Sequence, residues 1–216
     1  MIQVNEKEVY RYLGYRNQTP DASILEQIQS CMEQMQQCTP KFVMKEFDLK
    51  QCGEDLYFSS VHIHSKDLSK NLKGCEKIVC LATTLGIVPD RLIARANIQN
   101  KAQSVILQAL GCAMIEAYTD QINEQIKIDA RQRGYCCRPR YSCGYGDCAL
   151  AHQRDFIRIL DMPKTIGVTL TQGDLMVPYK SVTAMIGLTR EANQDLAGSC
   201  QQCEKTDCMY RKVVKV

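Results

Sequence analysis

The chain has 216 residues, of which 45% are hydrophobic and 24% are charged, the proportions of an ordinary folded protein. This length allows one domain with a real core, and the formal charge of +3 is too balanced to favour nucleic acid or a membrane surface as a partner. No segment approaches the roughly 20 apolar residues that span a bilayer, and the first residues lack the pattern of a secretory signal. We therefore expect a cytoplasmic protein that binds neither nucleic acid nor a membrane.

Helical and β-rich segments alternate in the first half of the chain. Asn5, with Glu8 three residues later, predicts the start of a short helix. The apolar spacing from residue 21 to about residue 38 predicts a longer one. The runs 42–49 and 56–63 are β-rich and are separated by a glycine, so we expect them to pair as a hairpin.

The second half carries the strongest periodic patterns. Residues 78–82 form a short apolar run typical of a buried strand. A long helix is predicted from about residue 101 to about residue 131, with Val105 among the residues that face inward. Residues 181–189 alternate in the clearest strand pattern of the chain. Together these segments predict an α+β fold, in which helices flank a mainly antiparallel sheet.

The segment from Gly134 to Asp147 differs in character, because it is rich in glycine, arginine and tyrosine and has no apolar period. Such a loop is a common place for binding residues. Within it, Arg140-x-x-x-Gly144-Tyr145 combines a planar cation, a flexible backbone and an aromatic ring. A guanidinium can hold a carboxylate through two parallel hydrogen bonds, so the motif suits an amino-acid ligand. A loop with a structural arginine and turn glycines remains the alternative.

The residues around and after this motif resemble the C-terminal activation domain of cobalamin-dependent methionine synthase. In that family an arginine is followed, after three residues, by Gly-Tyr-Pro-Ala-Cys, and this chain has Gly144-Tyr145-x-x-Cys148 at that place. Further positions match in the same order: Leu160, Gly167, Leu170-Thr171, Met176, Pro178 and Ser181-Val182. The resemblance covers about residues 138–190 and is closer still to small separate proteins related to the domain. We expect one domain over residues 1–197 and a cysteine-rich tail over residues 198–216.

This resemblance implies that the chain binds S-adenosylmethionine and supports the reactivation of an oxidised cobalamin in methionine biosynthesis. In the family, a reductant such as flavodoxin supplies an electron before the cobalamin is methylated. The chain lacks the Asp-x-His-x-x-Gly hallmark of a cobalamin-binding module, so the cobalamin is expected on a partner, a cobalamin-dependent methyltransferase. The chain would then be a component of a methionine synthase rather than an enzyme by itself.

The resemblance also implies a role for individual residues. Arg140 would hold the ligand's carboxylate, and Glu116 of the long helix would offer its charge to the ligand's ammonium group. Four residues would line the site, partly through backbone groups: Gly144, Tyr145, Gly146 and Asp147. Three others would lie nearest the corrin ring, with support of the sheet as the alternative: Met176, Pro178 and Ser181.

The chain departs from the family pattern in two places. The full-length enzymes carry an acidic residue six positions before the signature arginine, where this chain has Gly134. Their Pro-Ala is Gly146-Asp147 here, so one ligand contact is missing or moved, with Asp147 as a possible substitute. These departures leave open a docking adaptor whose ligand site is degenerate.

The tail contains three cysteines, Cys200, Cys203 and Cys208, in a polar stretch without a helical apolar face. Thiolates at this spacing suit zinc or an iron-sulfur cluster. A fourth ligand would come from outside the tail. It would be an exogenous group or one of four cysteines: Cys136, Cys137, Cys143 and Cys148. The alternatives are a metal-free tail or a reversible disulfide between Cys200 and Cys203. A metal- or cluster-binding redox protein is therefore the second functional hypothesis.

Overall fold

The computed structural model describes residues 2–15 and 18–191. Its helices are α1 (Glu6–Tyr12), α2 (Ala22–Met35), α3 (Lys66–Asn71), α4 (Val88–Gln99), α5 (Lys101–Gln132), α6 (Gln153–Leu160) and α7 (Met162–Thr165). Its strands are β1 (Lys41–Asp48), β2 (Lys50–Cys52), β3 (Asp55–Phe58), β4 (Val61–His64), β5 (Lys77–Thr84), β6 (Cys136–Cys137), β7 (Thr169–Leu170), β8 (Met176–Val177) and β9 (Ser181–Thr189). The predicted α+β class is confirmed. No helix in the described ranges is both long and apolar enough to cross a membrane.

The main sheet has four strands in the order β1-β5-β9-β6, and every neighbouring pair is antiparallel. Strands β5 and β9 lie at its centre and are buried along nearly their whole length. Strand β9 covers the predicted run 181–189 in full, and both of its faces are covered, so the small and polar residues of the alternating pattern are buried as well. The core between the sheet and α5 contains Val79 and Leu81 of β5 with Ile122 and Ile126 of the helix.

Helix α5 connects two parts of the core. It has 32 residues and is about 48 Å long. Its first half packs against α1, α2 and α4 in one apolar cluster, which includes Leu110 and Ile115. Its second half packs on the sheet through Ile122 and Ile126. Glu116 therefore lies at the boundary between the helical cluster and the sheet.

The predicted hairpin between runs 42–49 and 56–63 is wrong. Strand β1 pairs with β5, from Lys41 opposite Thr84 to Asp48 opposite Lys77. The second run turns back on itself at Ser59, which has a φ of 51°, and becomes β3 and β4 of a separate three-stranded sheet with β2. A turn without glycine or proline is hard to recognise in a sequence, because these residues carry the clearest turn signals.

Val105 was also predicted wrongly, since its side chain is 58% exposed. The neighbouring Ile106 and Leu107 are buried in the helical cluster instead. The helix was predicted correctly, but the face that it buries at its start was not. Helices α2 and α4 decide which face of α5 is covered there, and helical spacing alone does not show this.

Gly187 in β9 offers a test of how tightly the sheet is packed. A Cβ atom there would lie 2.5 Å from the Cys75 sulfur and 2.7 Å from Cδ2 of Leu72. Leu72 is fully buried, so the surroundings cannot yield easily. We expect Gly187→Ala to lower the free energy of unfolding by roughly 1–3 kcal/mol, the usual cost of overpacking, measured by urea denaturation.

Gly173→Ala is the matched control for this substitution. A Cβ atom at Gly173 has its nearest neighbour at 4.0 Å, so this variant is expected to remain within about 0.5 kcal/mol of the wild type. Equal unfolding midpoints for the two variants would contradict the tight packing of β9 against Leu72 and Cys75.

Candidate functional site

The backbone around Arg140 is held against strand β9. The Arg138 N–H donates to the Gly187 carbonyl at 2.8 Å. Tyr141 and Met185 exchange two backbone hydrogen bonds, of 3.0 and 2.7 Å. Because Arg138 and Tyr141 are both paired with β9, the backbone position of Arg140 is fixed. Its side chain extends from there to helix α5.

The Arg140 guanidinium contacts two carboxylates of that helix. Its Nη2 atom lies 3.3 Å from Oε2 of Glu116 and 2.9 Å from Oδ1 of Asp120. Glu116 and Asp120 are four residues apart and so share one face of α5. The Arg140 side chain is only 18% exposed, which makes these ion pairs less screened than surface pairs. One positive and two negative groups thus meet where the loop crosses the helix.

The other terminal nitrogen of Arg140, Nη1, is buried and has no hydrogen-bond partner within the described residues. A buried guanidinium N–H without an acceptor is costly, so such groups usually have a partner. Nη2 is already engaged by the helix, and Nη1 therefore remains as a donor for an oxygen atom of a ligand. This nitrogen is the feature of the site that fits the predicted carboxylate contact.

The signature loop after Arg140 closes on itself through hydrogen bonds. The Tyr141 hydroxyl donates to the Tyr145 carbonyl at 2.9 Å, and the Gly144 N–H donates to the Cys148 carbonyl at 2.8 Å. Burial raises the pKa of Tyr141 to about 12, so this hydroxyl stays protonated and able to donate at neutral pH. The Tyr145 ring itself is 69% exposed. The loop is therefore held by its own hydrogen bonds and leaves an aromatic ring accessible.

Gly146 packs the loop against helix α3. Its φ is 53°, and a Cβ atom would lie 2.6 Å from the Tyr141 hydroxyl and would also clash with the Asp67 carboxylate. A residue with a side chain therefore does not fit here without movement of the loop or of Asp67. Close packing of the loop against α3 therefore explains why position 146, a predicted site residue, is a glycine.

Asp147 is bound to the start of α3. Its Oδ1 accepts hydrogen bonds from the Ser65 hydroxyl at 2.5 Å and the Asp67 N–H at 3.2 Å, and Oδ2 accepts one from the Lys66 N–H at 2.8 Å. These hydrogen bonds, first that of Ser65, lower the pKa of the carboxyl group. The carboxylate is thus used to join the loop to α3. This argues against the suggestion that Asp147 replaces a missing ligand contact.

A cleft of about 360 Å³ lies along α5 close to the ion pairs. Its lining consists of Tyr12, Asn97, Ser104, Val105, Gln108, Ala109 and Cys112. Cys112 is four residues before Glu116, so both lie on one face of the helix. Burial raises the pKa of Tyr12 and the charge of Glu116 raises it further, which places the tyrosine near that carboxylate. The cleft therefore begins about one helical turn from the Arg140 cluster.

The three residues predicted to face the corrin point into the protein. The Ser181 hydroxyl contacts Oγ1 of Thr84 at 2.8 Å and donates to the Pro178 carbonyl at 2.7 Å. Pro178 is buried after a cis peptide bond, and Met176 packs against the apolar core. These contacts favour the alternative of structural support. Tyr179, which is 62% exposed, is the residue of this turn that reaches the surface.

The cysteines divide into buried and accessible ones. Cys143 and Cys148 are 5% and 1% exposed and belong to the core beneath the signature loop. Cys136 is exposed on β6, opposite Thr189 at the end of β9. The tail residues Cys200, Cys203 and Cys208 lie outside the described residues. Over 2–15 and 18–191, no group of three or more histidine, cysteine or acidic side chains is arranged to hold a metal ion.

Comparison with family models decides the relationship. The model of the activation domain of vitamin B12-dependent methionine synthase matches residues 63–213. The chain belongs to this family. The match extends well beyond residues 138–190, on which the resemblance was based, and includes helix α5 with Glu116. The family inferred from the Arg140 loop is therefore confirmed.

Comparison with solved structures supports the fold. The crystal structure of the MetH reactivation domain bound to AdoHcy matches with a TM-score of 0.65 and 15% sequence identity. The match covers 89% of this chain and 76% of that one. At this identity the likeness establishes a shared fold of mixed helices and antiparallel sheet. No curated protein matches the chain.

Two residues near the Arg140 cluster were not predicted from the sequence. Asp120 is one, although its spacing of four from Glu116 on a predicted helix was a usable signal. Tyr12 is another, and it had no signal because it lies in a different helix more than a hundred residues before Arg140. Helices α1 and α5 therefore contribute residues near Arg140 that the loop motif does not indicate.

The contact between Asp147 and α3 predicts a pH-dependent stability. We expect Asp147→Ala to lower the thermal unfolding midpoint at pH 7, because three donors lose their acceptor. The folded-state pKa of this carboxyl is depressed, so its contribution is complete above the ordinary value of about 3.9 and is lost as the pH falls through the lower folded value. The difference between variant and wild type should shrink in acid, measured by calorimetric scans from pH 7 to pH 3.

Glu26→Ala provides the control, since Glu26 is an exposed carboxylate of helix α2. Its midpoint should follow that of the wild type at every pH. A deficit of Asp147→Ala that stays constant down to pH 3 would show that the carboxylate does not act through its charged form.

Proposed function

We propose that this chain binds S-adenosylmethionine at Arg140 and presents its methyl group to a cobalamin carried by a partner protein. The observation that carries the proposal is the buried, unpartnered Nη1 of Arg140 beside Glu116. Membership of the activation-domain family supports it, as does the fold shared with a reactivation domain bound to AdoHcy, the demethylated form of the same ligand.

The charges of the site match those of the ligand. The ligand's carboxylate accepts from Nη1 of Arg140, while Nη2 stays with the helix and keeps the guanidinium oriented. Glu116 and Asp120 supply negative charge for the two positive groups of the ligand, its ammonium and its sulfonium. A guanidinium held in this way loses little freedom on binding, which favours affinity.

The protein's own part in the reaction is to hold and orient the donor. When bound, S-adenosylmethionine would supply the methyl group of its sulfonium, and the cobalamin of the partner would accept it. The partner is a cobalamin-dependent methyltransferase, and flavodoxin or another reductant supplies the electron. The exposed rings of Tyr145 and Tyr179 offer contacts at the surface of the loop and of the turn before β9. The chain thus acts as a component of the methyltransferase.

Calorimetric titration with S-adenosylmethionine tests the role of Arg140 directly. We expect Arg140→Ala to weaken binding roughly 10- to 100-fold, the usual cost of removing hydrogen bonds to a charged group. Arg140→Lys should recover only part of the affinity, because lysine keeps the charge but lacks the planar pair of donors. Arg154→Ala is the matched control, since Arg154 is 68% exposed and pairs with Asp174 on the surface.

Two outcomes would contradict this assignment. Wild-type protein that does not bind the ligand would leave the adaptor hypothesis, especially if a methyltransferase copurifies with the chain. Equal affinity in Arg140→Ala and Arg154→Ala would show binding that does not depend on the guanidinium, and Arg140 would lose its role.

The position of Cys136 supports a second candidate function, in which the tail cysteines bind zinc or an iron-sulfur cluster. Strand β6 pairs with the end of β9, so the exposed Cys136 lies opposite Thr189, eleven residues before Cys200. Cys143 and Cys148 are buried in the core and could reach a metal only if the loop opened. We propose Cys136 as the fourth ligand beside Cys200, Cys203 and Cys208.

Metal analysis of anaerobically purified protein tests this candidate. We expect zinc or iron in a fixed ratio to protein, with a brown colour in the case of a cluster. Cys136→Ser should lower the metal content, whereas Cys52→Ser should not, because Cys52 is also an exposed cysteine but belongs to a different sheet. Metal-free wild-type protein, or metal retained fully in Cys136→Ser, would contradict the proposed ligand set.

A further inference from the structure

Lys180 is a buried cation outside the Arg140 cluster. Only 8% of it is exposed, and it forms no ion pair with a carboxylate in the described part of the chain. Its aliphatic stem passes over Gly111, where a Cβ atom would lie 2.8 Å from Cε of the lysine. Its Nζ contacts Oε1 of Gln108 at 2.7 Å and the Cys112 sulfur at 3.3 Å. An ammonium group has three donors, so one remains for another acceptor.

Asp90 in the first turn of α4 has an acceptor atom without a donor, whereas Lys180 has a donor without an acceptor. Its Oδ2 accepts a hydrogen bond from the Tyr179 N–H at 2.9 Å. Its Oδ1 is buried and has no hydrogen-bond partner among the described residues. Burial raises the pKa of Asp90 and the positive charge of Lys180 lowers it, so the two groups lie within electrostatic range without forming an ion pair.

Both groups line one cleft of about 460 Å³ between α4, α5 and the turn before β9. The remaining lining residues are Ile93, Ala94, Asn97, Gln108 and Tyr179. This volume is in the usual range of small-molecule sites, about 300–1,000 Å³. The cleft therefore combines a donor, an unsatisfied acceptor and a short apolar wall.

We propose that this cleft is a second ligand site, which binds a free α-amino acid with a small or medium apolar side chain. The amino acid's carboxylate accepts from Nζ of Lys180, its ammonium group donates to Oδ1 of Asp90, and its side chain lies on Ile93 and Ala94. A simple anion would leave the aspartate unsatisfied and a simple cation would leave the lysine unsatisfied. A zwitterion satisfies both, since it carries both charges on neighbouring atoms.

The site is separate from the one at Arg140. Lys180 contacts α5 at Gln108 and Cys112, whereas Arg140 contacts it at Glu116 and Asp120. The nearest of these contacts, Cys112 and Glu116, are four residues apart, which is about 6 Å along a helix, and the two cations therefore use successive turns of α5. The inference therefore does not depend on binding of S-adenosylmethionine, although that ligand also ends in an amino acid.

Calorimetric titration of the full chain at neutral pH with L-alanine, L-valine and L-leucine tests this proposal. We expect binding of at least one amino acid, with one site per chain. The decarboxylated and the deaminated analogue of the tightest binder should each bind at least tenfold more weakly, because each lacks one of the two charges. No heat with any of the three amino acids would overturn the proposal, and so would an analogue that binds as well as its parent.

Substitutions separate the two sites. Lys180→Met keeps the stem over Gly111, and Asp90→Asn keeps the shape of the carboxylate, so both should fold, which circular dichroism and thermal melting verify. Each should weaken amino-acid binding at least tenfold. Arg140→Ala should leave that binding unchanged, as should the control Lys164→Met, whose lysine is 85% exposed.

Titration of each variant with both ligands distinguishes a failure of this proposal from a failure of the Arg140 assignment. If Arg140→Ala abolishes binding of both the amino acid and S-adenosylmethionine, one pocket serves both ligands and the second site is wrong. If Lys180→Met abolishes binding of both while Arg140→Ala changes neither, the cleft is not a separate site either, and the Arg140 assignment fails with it. Independent loss in the two variants is the expected result.

Discussion

The ion pairs between Arg140 and helix α5 are the contact on which the candidate site depends. The arginine backbone is tied to the central strand β9, while its side chain ends on Glu116 and Asp120 of the helix. The sheet thus fixes the backbone of this arginine, and the helix fixes its guanidinium. These ion pairs orient the guanidinium and leave one buried nitrogen to donate. Preorganised donors of this kind bind at a low cost in ordering.

Helix α5 also explains why two cations lie in one row. Residues four apart share a helical face, and Gln108, Cys112, Glu116 and Asp120 form such a series. Lys180 reaches the first pair and Arg140 the second. The two environments differ in charge, because neutral groups hold the lysine and carboxylates hold the arginine. A helix that is covered by other helices at one end and by the sheet at the other can therefore serve two polar clefts from a single face.

The departure of this chain from the activation-domain signature has a structural basis. Where the family has Pro-Ala, Gly146 allows close contact with Asp67, and Asp147 accepts three hydrogen bonds at the start of α3. The two residues therefore act together: the glycine permits the approach and the aspartate secures it. The substitution changes how the loop is anchored and leaves the Arg140 cluster intact, which weakens the case for a degenerate site.

Local patterns in the sequence were sufficient for the long helix, the strand 181–189, the Arg140 loop and the family, because periodicity and short motifs depend on neighbouring residues. The partner of β1 was not predictable in this way, since pairing with β5 is a choice between distant segments and the turn at Ser59 carries no glycine or proline. The role of Asp147 and the placement of Lys180 and Asp90 in one cleft were likewise decided only by the tertiary structure. Each joins groups 80 or more residues apart. Their interaction follows from how helices pack on the sheet, and no spacing along the chain encodes that packing.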